Sequence, residues 1–229
     1  MTLMQKIACI FFPQRCVGCG KVIYPDELLC SDCSSQVSRV EEPICPRCGH
    51  GSDSCICQNK RFSFSQCRVP FYYEGAIKRG LLRFKFYGHP ASAQSFAALT
   101  LPTVSILTDS HAGEPIDFIT AVPLSVKRMR VRGYNQSALI GKELAHLLNL
   151  PYKNVLCKPA DIPAQHSLKR EDRWKNIEGA FCVRNNVRGK RILLIDDILT
   201  TGATLQECAS VLRLAGAKEI RCTAIACVR

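Results

Sequence analysis

The segment whose residue types most directly suggest chemistry is Arg191–Thr204, RILLIDDILTTGAT. An apolar run leads into the carboxylates of Asp196 and Asp197, and a threonine- and glycine-rich turn then opens a helix. Backbone N–H groups at such a turn and helix N-terminus bind anions, and carboxylates after a strand can hold sugar hydroxyls or the waters of Mg²⁺. We therefore predict a phosphate site beside an acid pair, although strand, acid and turn also occur in α/β folds that bind no phosphate. The turn residues are Thr200, Thr201, Gly202, Ala203 and Thr204.

A second group of residues suited to chemistry is cysteine. Eight of the 15 cysteines form four close pairs between residues 16 and 57. Two CxxC turns can complete the tetrahedral four-sulfur site that Zn²⁺ accepts, so the spacing predicts two structural zinc ions; an iron–sulfur cluster, redox dithiols and reduced thiols are the alternatives. Such a closed site leaves no open position for catalysis, and we expect it to serve stability or partner binding. The predicted ligands are Cys16, Cys19, Cys30 and Cys33 in one set and Cys45, Cys48, Cys55 and Cys57 in the other.

One histidine lies close to the cysteine pairs, and several single cysteines lie farther along the chain. His50 follows Cys48 by two residues and could replace a ligand, but four cysteines are present in its set, so we interpret it as a surface residue. Five cysteines in the second half of the chain are isolated from one another and are predicted to pack as small apolar side chains in the core. They are Cys157, Cys182, Cys208, Cys222 and Cys227.

Three segments carry a resemblance to known proteins. ILLIDDILTTGAT resembles the phosphoribosyl pyrophosphate signature of type I phosphoribosyltransferases. The run VPLSVKRMRVRGYNQ at 122–136 and the polar residues between 165 and 181, taken with the cysteine pairs, resemble the ComF/GntX family of phosphoribosyltransferase-like proteins. Branches of that family are linked to DNA uptake in competent bacteria and to gluconate utilisation. The resemblance extends from about residue 16 to residue 226.

The resemblance implies a fold and a site. It implies an α/β domain with a type I phosphoribosyltransferase-like parallel sheet, preceded by a small N-terminal double zinc ribbon. Asp196 and Asp197 would hold the ribose hydroxyls and the Mg²⁺ shell, and the turn at 200–204 would wrap the 5′-phosphate of phosphoribosyl pyrophosphate. The loop after residues 117–122 would bind pyrophosphate, joined by Lys85 of FKFYG, and residues 158–177 would form a mobile flap. The residues implied are Arg128, Arg130, Arg132 and Gly133 on the pyrophosphate side, and Gln165, Arg173 and Asn176 as flap anchors.

The implied chemistry is transfer of a phosphoribosyl group. This reaction breaks the C1–O bond through an oxocarbenium-like state, so the protein must stabilise the departing pyrophosphate and exclude water. No side-chain nucleophile is required. The acceptor substrate is not readable, because its pocket in this fold is built from residues that vary with the substrate.

A different function is suggested by basic residues interleaved with aromatic ones between residues 78 and 87. Backbone neutralisation and base stacking on single-stranded DNA require such a pattern, which a solvated helix face also produces. The alternative is thus a non-catalytic single-stranded-DNA-binding or regulatory module of the DNA-import machinery, with a competence helicase or other import proteins as partners. A scaffold that uses the zinc ribbons alone would leave residues 196–204 unexplained. The basic residues of this helix are Lys78, Arg79 and Arg83.

The elements that must position these residues fall into two parts. Residues 1–60 have no sustained hydrophobic period, as expected when metal replaces a core, whereas residues 61–229 alternate strands and helices and predict a mostly parallel, covered sheet. The predicted helices are 76–87, 91–101, 137–148 and 204–214. The aromatic segment 62–75 is strand-like, and further strands are predicted at 117–122, 179–183, 191–195 and 220–228. Residues 103–115 are predicted to form a surface loop.

Composition sets outer limits on these hypotheses. The chain has 229 residues, of which 47% are hydrophobic and 22% charged, which excludes a disordered polymer or a fibre. Its formal net charge of +12 favours phosphate-bearing partners. The longest apolar run near the start, residues 7–12, is too short for a secretory segment or for the roughly 20 residues of a membrane span. We expect a cytoplasmic protein without stable membrane insertion, with a peripheral position at the DNA-uptake machinery left open.

Overall fold

The computed structural model describes residues 13–57, 61–109, 113–158 and 180–229. Its N-terminal part contains a first ribbon around the cysteines at 16–33 and a second ribbon around those at 45–57. Each ribbon begins with a knuckle, at residues 16–21 and 45–50, and the two knuckles have the same backbone turn. In each, the first cysteine donates its N–H to the carbonyl five residues later, Cys16 to Lys21 at 2.8 Å and Cys45 to His50 at 2.8 Å. The residue after the second cysteine is a glycine with positive φ, +83° at Gly20 and +75° at Gly49. Among residues 13–57 the helices are only the single α-turn α1 (Ser31–Ser34) and one 3-10 turn at Ser52–Ser54, so the ribbons depend on their cysteine clusters for order.

The rest of the chain is built on a parallel sheet. The strands are β1 (Gln66–Arg68), β2 (Phe71–Tyr72), β3 (Phe118–Ala121), β4 (Leu156–Cys157), β5 (Cys182–Val183), β6 (Arg191–Leu199) and β7 (Glu219–Cys227). The main sheet has the order β1-β7-β6-β3, and β2 also pairs with β7. All of its pairings are parallel, whereas β4 and β5 form a separate antiparallel pair. The carboxyl ends of the central strands therefore meet at one edge.

Helices cover both faces of this sheet. They are α2 (Gly75–Phe86), α3 (Ser92–Thr108), α4 (Val126–Arg132), α5 (Gln136–Leu147) and α6 (Ala203–Leu214). Alternate residues of β6 enter two separate core clusters: Ile192 and Leu194 pack with residues of α6, and Leu193 and Ile195 pack with residues of α2, α3 and α5. A strand buried on both faces needs an unbroken apolar run, and this is the pattern that residues 192–195 show.

The structure agrees with the predicted order of strands and helices, adds the short strand β4, and differs at three further places. The predicted loop 103–115 is wrong over its first part, because α3 continues through Pro102 to Thr108 and buries Val104 and Leu107 in the core. The strand predicted over 191–195 extends through the acid pair to Leu199. Helix α4 occupies a stretch for which the sequence predicted only a loop.

The single cysteines divide into two groups. Cys208, Cys222 and Cys227 are fully buried among apolar side chains, so the prediction that they act as core residues is confirmed. For Cys157 and Cys182 the prediction is wrong: the two residues lie opposite each other in the β4–β5 pair and form a disulfide with a Cα–Cα distance of 5.2 Å. Isolated positions in a sequence do not reveal that two strands bring their side chains together.

Candidate functional site

The acid pair lies near the carboxyl end of β6, at the edge where the parallel strands finish. The Oδ1 atom of Asp196 accepts two hydrogen bonds, one from the Ser137 hydroxyl at 3.2 Å and one from the Asp197 N–H at 2.8 Å. Ser137 is buried in the first turn of α5, which comes after β3 and α4 in the chain. A strand and a helix that packs on the sheet thus contribute to one cluster of polar groups.

The second acid of the pair has a cationic partner. The amino group of Lys85 lies 2.9 Å from Oδ2 of Asp197, and the two side chains are only 16% and 14% exposed. Lys85 is the penultimate residue of α2, so the helix end presents its charge to the strand end. The structure therefore brings together Lys85, Asp196 and Asp197, which the resemblance assigned to one site.

Burial and charge change the acidity of this pair. Burial, and next the charge of Asp197, raise the pKa of Asp196 from 3.8 to about 7, and the opposing effects of Lys85 and Ser137 are smaller. Near neutral pH the pair thus holds less than its full negative charge, and a divalent cation would favour the ionised form. Carboxylate oxygens are the protein ligands that Mg²⁺ prefers, so the donor set at 196–197 fits this ion.

The predicted phosphate turn connects β6 to α6. Gly202 has φ +77°, a left-handed conformation that glycine adopts at little cost, and it caps the N-terminus of the helix. The Ala203 N–H donates to the Thr201 hydroxyl oxygen at 3.3 Å, and both residues are buried. A 12-residue helix that begins at such a turn offers N–H groups and the positive end of its dipole to an anion.

The predicted pyrophosphate side has a different form from the expected loop. Residues 126–132 form α4, whose N-cap is Ser125 and whose C-cap is Gly133 with φ +79°. The Ser125 hydroxyl accepts a hydrogen bond from the Arg128 N–H at 3.3 Å. Arg128 and Arg130 are exposed on this helix. They carry positive charge on the surface of α4 rather than in a closed cradle.

Arg132 is the member of this set with the most contacts. It donates to the Gln136 side-chain oxygen at 2.7 Å, and its guanidinium lies over the ring of Phe86 at 5.4 Å from the centroid. Burial lowers the pKa of Arg132, and the charge of Asp197 opposes that effect. Arg132 is therefore held near the acid pair, on the same side as Lys85.

Sequence reasoning did not single out Ser137 and Gln136 as members of this region. The signal that could have identified them was Asn135, whose side chain caps α5 by accepting a hydrogen bond from the Ala138 N–H at 3.2 Å. A polar first turn behind such a cap lies at the same sheet edge as the acid pair. The flap anchors Gln165, Arg173 and Asn176 lie outside the described residues.

The cysteines form two separate four-sulfur clusters, in sequential pairing. Within each cluster the sulfur atoms all lie within 4.8 Å of one another. The shorter separations are 3.7 Å for Cys19–Cys30, 3.6 Å for Cys45–Cys57 and 3.7 Å for Cys48–Cys55. Four sulfurs at the usual zinc–sulfur distance of about 2.3 Å from a tetrahedral centre lie about 3.8 Å apart, so both clusters fit Zn²⁺.

The histidine near the second cluster is not a surface residue, so that interpretation is wrong. His50 is 0% exposed. Its Nδ1 atom lies 3.2 Å from the Cys48 carbonyl oxygen and its Nε2 atom 3.2 Å from the Val228 carbonyl oxygen. His50 therefore connects the second knuckle to the end of the chain, and the cysteines alone make up the metal cluster.

The cationic side chains of the basic helix α2 have different partners. Arg79 donates to Cys33 Sγ at 3.6 Å and to the Gln36 side-chain oxygen at 2.8 Å. The Arg83 guanidinium lies against Gly20 of the first knuckle, and the Lys78 amino group lies 5.8 Å from the Tyr73 ring centroid. Two of the three residues predicted to bind nucleic acid therefore contact the first ribbon.

Comparisons with known proteins agree with this two-part architecture. A family model for the double zinc ribbon domain matches residues 7–67, and one for the phosphoribosyl transferase domain matches residues 159–228. With the parallel sheet and the two cysteine clusters, these matches confirm the predicted fold class, a type I phosphoribosyltransferase-like α/β domain after a double zinc ribbon.

Several relatives match along most of the chain. The chain is 32% identical over 202 residues to competence protein ComFC of Streptococcus pneumoniae, covering 86% of each protein. It is 31% identical over 203 residues to competence protein ComFC of Bacillus subtilis, covering 83% of this chain and 80% of the relative. It is 29% identical over 221 residues to competence protein F of Haemophilus influenzae, covering 92% and 96%.

A solved structure also matches part of the chain. The allosteric regulatory enzyme of purine biosynthesis is 22% identical, with a TM-score of 0.39, over 62% of this chain and 29% of that chain.

Among the residues that the structure describes, no helix combines the length and the apolar character needed to cross a membrane.

Proposed function

Because the chain belongs to the family of competence proteins F and ComFC, we propose that it binds phosphoribosyl pyrophosphate with Mg²⁺ and acts in natural competence, in the uptake of DNA. The names of the relatives support the cellular role. The phosphoribosyl transferase family model and the parallel sheet support the ligand. We further propose that the protein transfers the phosphoribosyl group to an acceptor substrate.

The observation that carries the ligand proposal is the polar cluster at one sheet edge. Lys85 lies 2.9 Å from Asp197, and Asp196 accepts from Ser137, beside the glycine turn that opens α6. Removing an ion pair from water carries a desolvation cost, so a pair this shielded favours a functional role for the two charges. The cluster offers cations for pyrophosphate, acids for the ribose hydroxyls and N–H groups for the 5′-phosphate.

In the proposed mechanism each part of the site acts on a different part of the ligand. The turn 200–204 binds the 5′-phosphate, and Lys85 and Arg132 stabilise the negative charge that develops on the departing pyrophosphate. Asp197 and the ionised form of Asp196 orient the ribose hydroxyls and face the electron-poor sugar. Mg²⁺, held by these two carboxylates, would supply further charge neutralisation when bound.

Isothermal titration calorimetry tests this proposal. Phosphoribosyl pyrophosphate is titrated with and without Mg²⁺ into the unmodified protein and into Asp196→Asn/Asp197→Asn. We expect binding that depends on Mg²⁺ and is lost in the double variant, because its two amides cannot replace the carboxylates as metal ligands.

The control for charge alone is Asp32→Asn. Asp32 is an exposed acid on the first ribbon, 3.0 Å from Lys21, and its loss removes a carboxylate without touching the site. This variant should bind like the unmodified protein. Absence of phosphoribosyl pyrophosphate binding by the unmodified protein would refute the ligand proposal, and equal binding by the double variant would refute the assigned site.

A second candidate function, single-stranded DNA binding, is favoured by one surface. Phe86 and Tyr87 are 66% and 70% exposed at the end of α2, and Arg132 lies over the Phe86 ring. Arg128 and Arg130 are exposed on the neighbouring α4. Exposed rings beside a basic surface provide base stacking and backbone neutralisation. A non-catalytic role beside a competence helicase or other DNA-import proteins, peripheral to the membrane machinery, belongs to this alternative.

Two variants separate this function from the first. Phe86→Ala/Tyr87→Ala should weaken binding of a single-stranded oligonucleotide by about 1–3 kcal/mol per stacked base. Arg130→Glu should reduce the dependence of affinity on salt concentration. Oligonucleotide affinity measured by fluorescence anisotropy at several salt concentrations checks both, and unchanged affinity and salt slope in both variants would exclude this surface.

A further inference from the structure

The second zinc ribbon contributes a wall to the phosphate turn. A Cβ atom placed on Gly202 would lie 3.6 Å from Cδ1 of Ile56 and 3.6 Å from a ring carbon of Phe62. Ile56 stands between Cys55 and Cys57, two cysteines of the second cluster. The side chain that faces the turn is thus carried by a three-residue segment whose two ends are sulfur ligands.

The residue that follows Phe62, Ser63, is tied to α6. The Ser63 N–H donates to the Gln206 side-chain oxygen at 2.6 Å, and the Gln206 amide donates back to the Ser63 hydroxyl at 2.8 Å. The Gln206 N–H in turn donates to the Gly202 carbonyl at 2.9 Å. Phe62 stacks on Phe64 with ring centroids 4.7 Å apart. The side of Gly202 that faces the ribbon is therefore closely packed.

A second connection joins the same ribbon to the start of the turn. His50 is within 3.2 Å of the Val228 carbonyl oxygen, and the Val228 N–H donates to the Leu199 carbonyl at 2.9 Å. Leu199 is the last residue of β6, immediately before Thr200. The second ribbon thus lies beside the turn at Gly202 and reaches its beginning through one intervening residue.

We propose that the second zinc ribbon positions the phosphate turn, with Ile56 as the positioning residue, so that affinity for the 5′-phosphate depends on this contact. The inference rests on the proposed phosphoribosyl site. A metal in the second cluster would be held by Cys55 and Cys57, and Ile56 between them keeps the turn in the conformation that presents its N–H groups. A side chain that acts on the anion only through the turn should change affinity for that anion and leave other subsites unchanged.

The other half of the site provides the contrast. Lys85 and Arg132 belong to α2 and α4, and α2 packs on the first ribbon through Arg79 and Cys33. Pyrophosphate should bind on that side. Ribose 5-phosphate and pyrophosphate with Mg²⁺ are therefore separate probes of the two halves.

Calorimetric titration of each probe into Ile56→Ala, Ile44→Ala and the unmodified protein tests the inference, with zinc content measured for each. Ile44 is the matched control, because it neighbours Cys45 in the same ribbon and packs against the core rather than Gly202. We expect about tenfold weaker ribose 5-phosphate binding by Ile56→Ala, a loss typical of residues that orient a binding group. The pyrophosphate affinity of Ile56→Ala should equal that of the unmodified protein. Ile44→Ala should bind both probes as the unmodified protein does.

The contrary outcomes are distinct from one another. Equal ribose 5-phosphate affinity in Ile56→Ala, or an equal loss for both probes, would overturn the positioning role. If Ile56→Ala loses zinc or does not fold, Ile56→Val is measured in its place. Valine keeps the β-branched shape of the side chain, and this variant should bind ribose 5-phosphate about twofold more weakly. Unchanged ribose 5-phosphate affinity in Ile56→Val would overturn the inference. If the unmodified protein binds neither probe, the proposed function itself fails.

Discussion

Replacing Asp196 with asparagine should stabilise the protein in a pH-dependent way. Both hydrogen bonds to the Asp196 side chain end on Oδ1, so an asparagine can keep them through its own oxygen. What the substitution removes is a half-buried carboxylate beside Asp197. The folded protein should lose an unfavourable charge without losing a contact.

The magnitude follows from the pKa. Burial and Asp197 raise the pKa of Asp196 from 3.8 to about 7. A carboxyl whose folded pKa is raised stabilises the fold below its unfolded pKa, and this contribution is lost as pH rises through the folded pKa. A shift of this size corresponds to about 4 kcal/mol above pH 8, and rearrangement of Lys85 reduces it, so we expect about 2–4 kcal/mol.

The assay is thermal unfolding of the unmodified protein and Asp196→Asn at several pH values between about 5 and 8.5, in the presence of zinc. The variant should unfold at a higher temperature, with a gap that widens up to about pH 7 and is then constant, reaching several degrees because 1 kcal/mol corresponds to about 2–4 °C in a chain of this size. Mg²⁺ should narrow the gap by stabilising only the unmodified protein. A gap independent of pH, or a less stable variant at pH 8, would refute this account of the acid pair.

Three further perturbations have defined outcomes. Lys85→Met leaves Asp197 shielded without its cation, so urea unfolding at pH 8 should show a loss of about 1–3 kcal/mol that Mg²⁺ partly restores; no loss would contradict the pairing. Chelation should release two zinc ions and unfold the ribbons, measured by a zinc-sensitive dye and circular dichroism, and unchanged spectra after full release would count against structural metal. Cys157→Ser should lower the free energy of unfolding under non-reducing conditions by about 3 kcal/mol, because the disulfide closes a loop between residues 25 apart; Cys208→Ala, a buried thiol outside the disulfide, is the comparison whose loss should be equal with and without reductant.

The extent of β6 shows where sequence prediction stops. The sequence predicted that the strand ends before the acids, because two carboxylates and a threonine-rich stretch favour a turn. In the structure β6 continues because its neighbour β7 is nine residues long and pairs with it beyond the acids, with Asp196 opposite Ala224 and Leu199 opposite Cys227. Pairing with a neighbouring strand outweighs local propensity, and it cannot be read from either strand alone.

The length of α3 has a similar explanation. Pro102 and the polar residues after it predict a helix end, and proline inside a helix costs about 3 kcal/mol. Val104 and Leu107 are nevertheless buried against the core, and their burial offsets that cost. The acid pair, the turn and the cysteine clusters were identifiable because each is a local run of residues, whereas β6 and α3 depend on contacts with distant parts of the chain.

The basic helix α2 is the most instructive case, because its four cations look equivalent in the sequence. Arg79 and Arg83 are four residues apart and share one face, which contacts the first ribbon at Cys33 and Gly20. Lys78 and Lys85 are seven residues apart and share another, which meets the Tyr73 ring and the acid pair.

This division decides how the nucleic-acid hypothesis must be tested. Charge reversal at Arg79 would disturb a residue that donates to a zinc-cluster sulfur, so a loss of DNA binding there would have two explanations. Arg130 on α4 is exposed and outside the ribbons, so a change in the salt dependence of DNA affinity caused by Arg130→Glu reports on the surface charge itself. If DNA binding falls in the Arg79 variant and not in the Arg130 variant, the first ribbon, rather than a continuous basic surface, supports DNA binding.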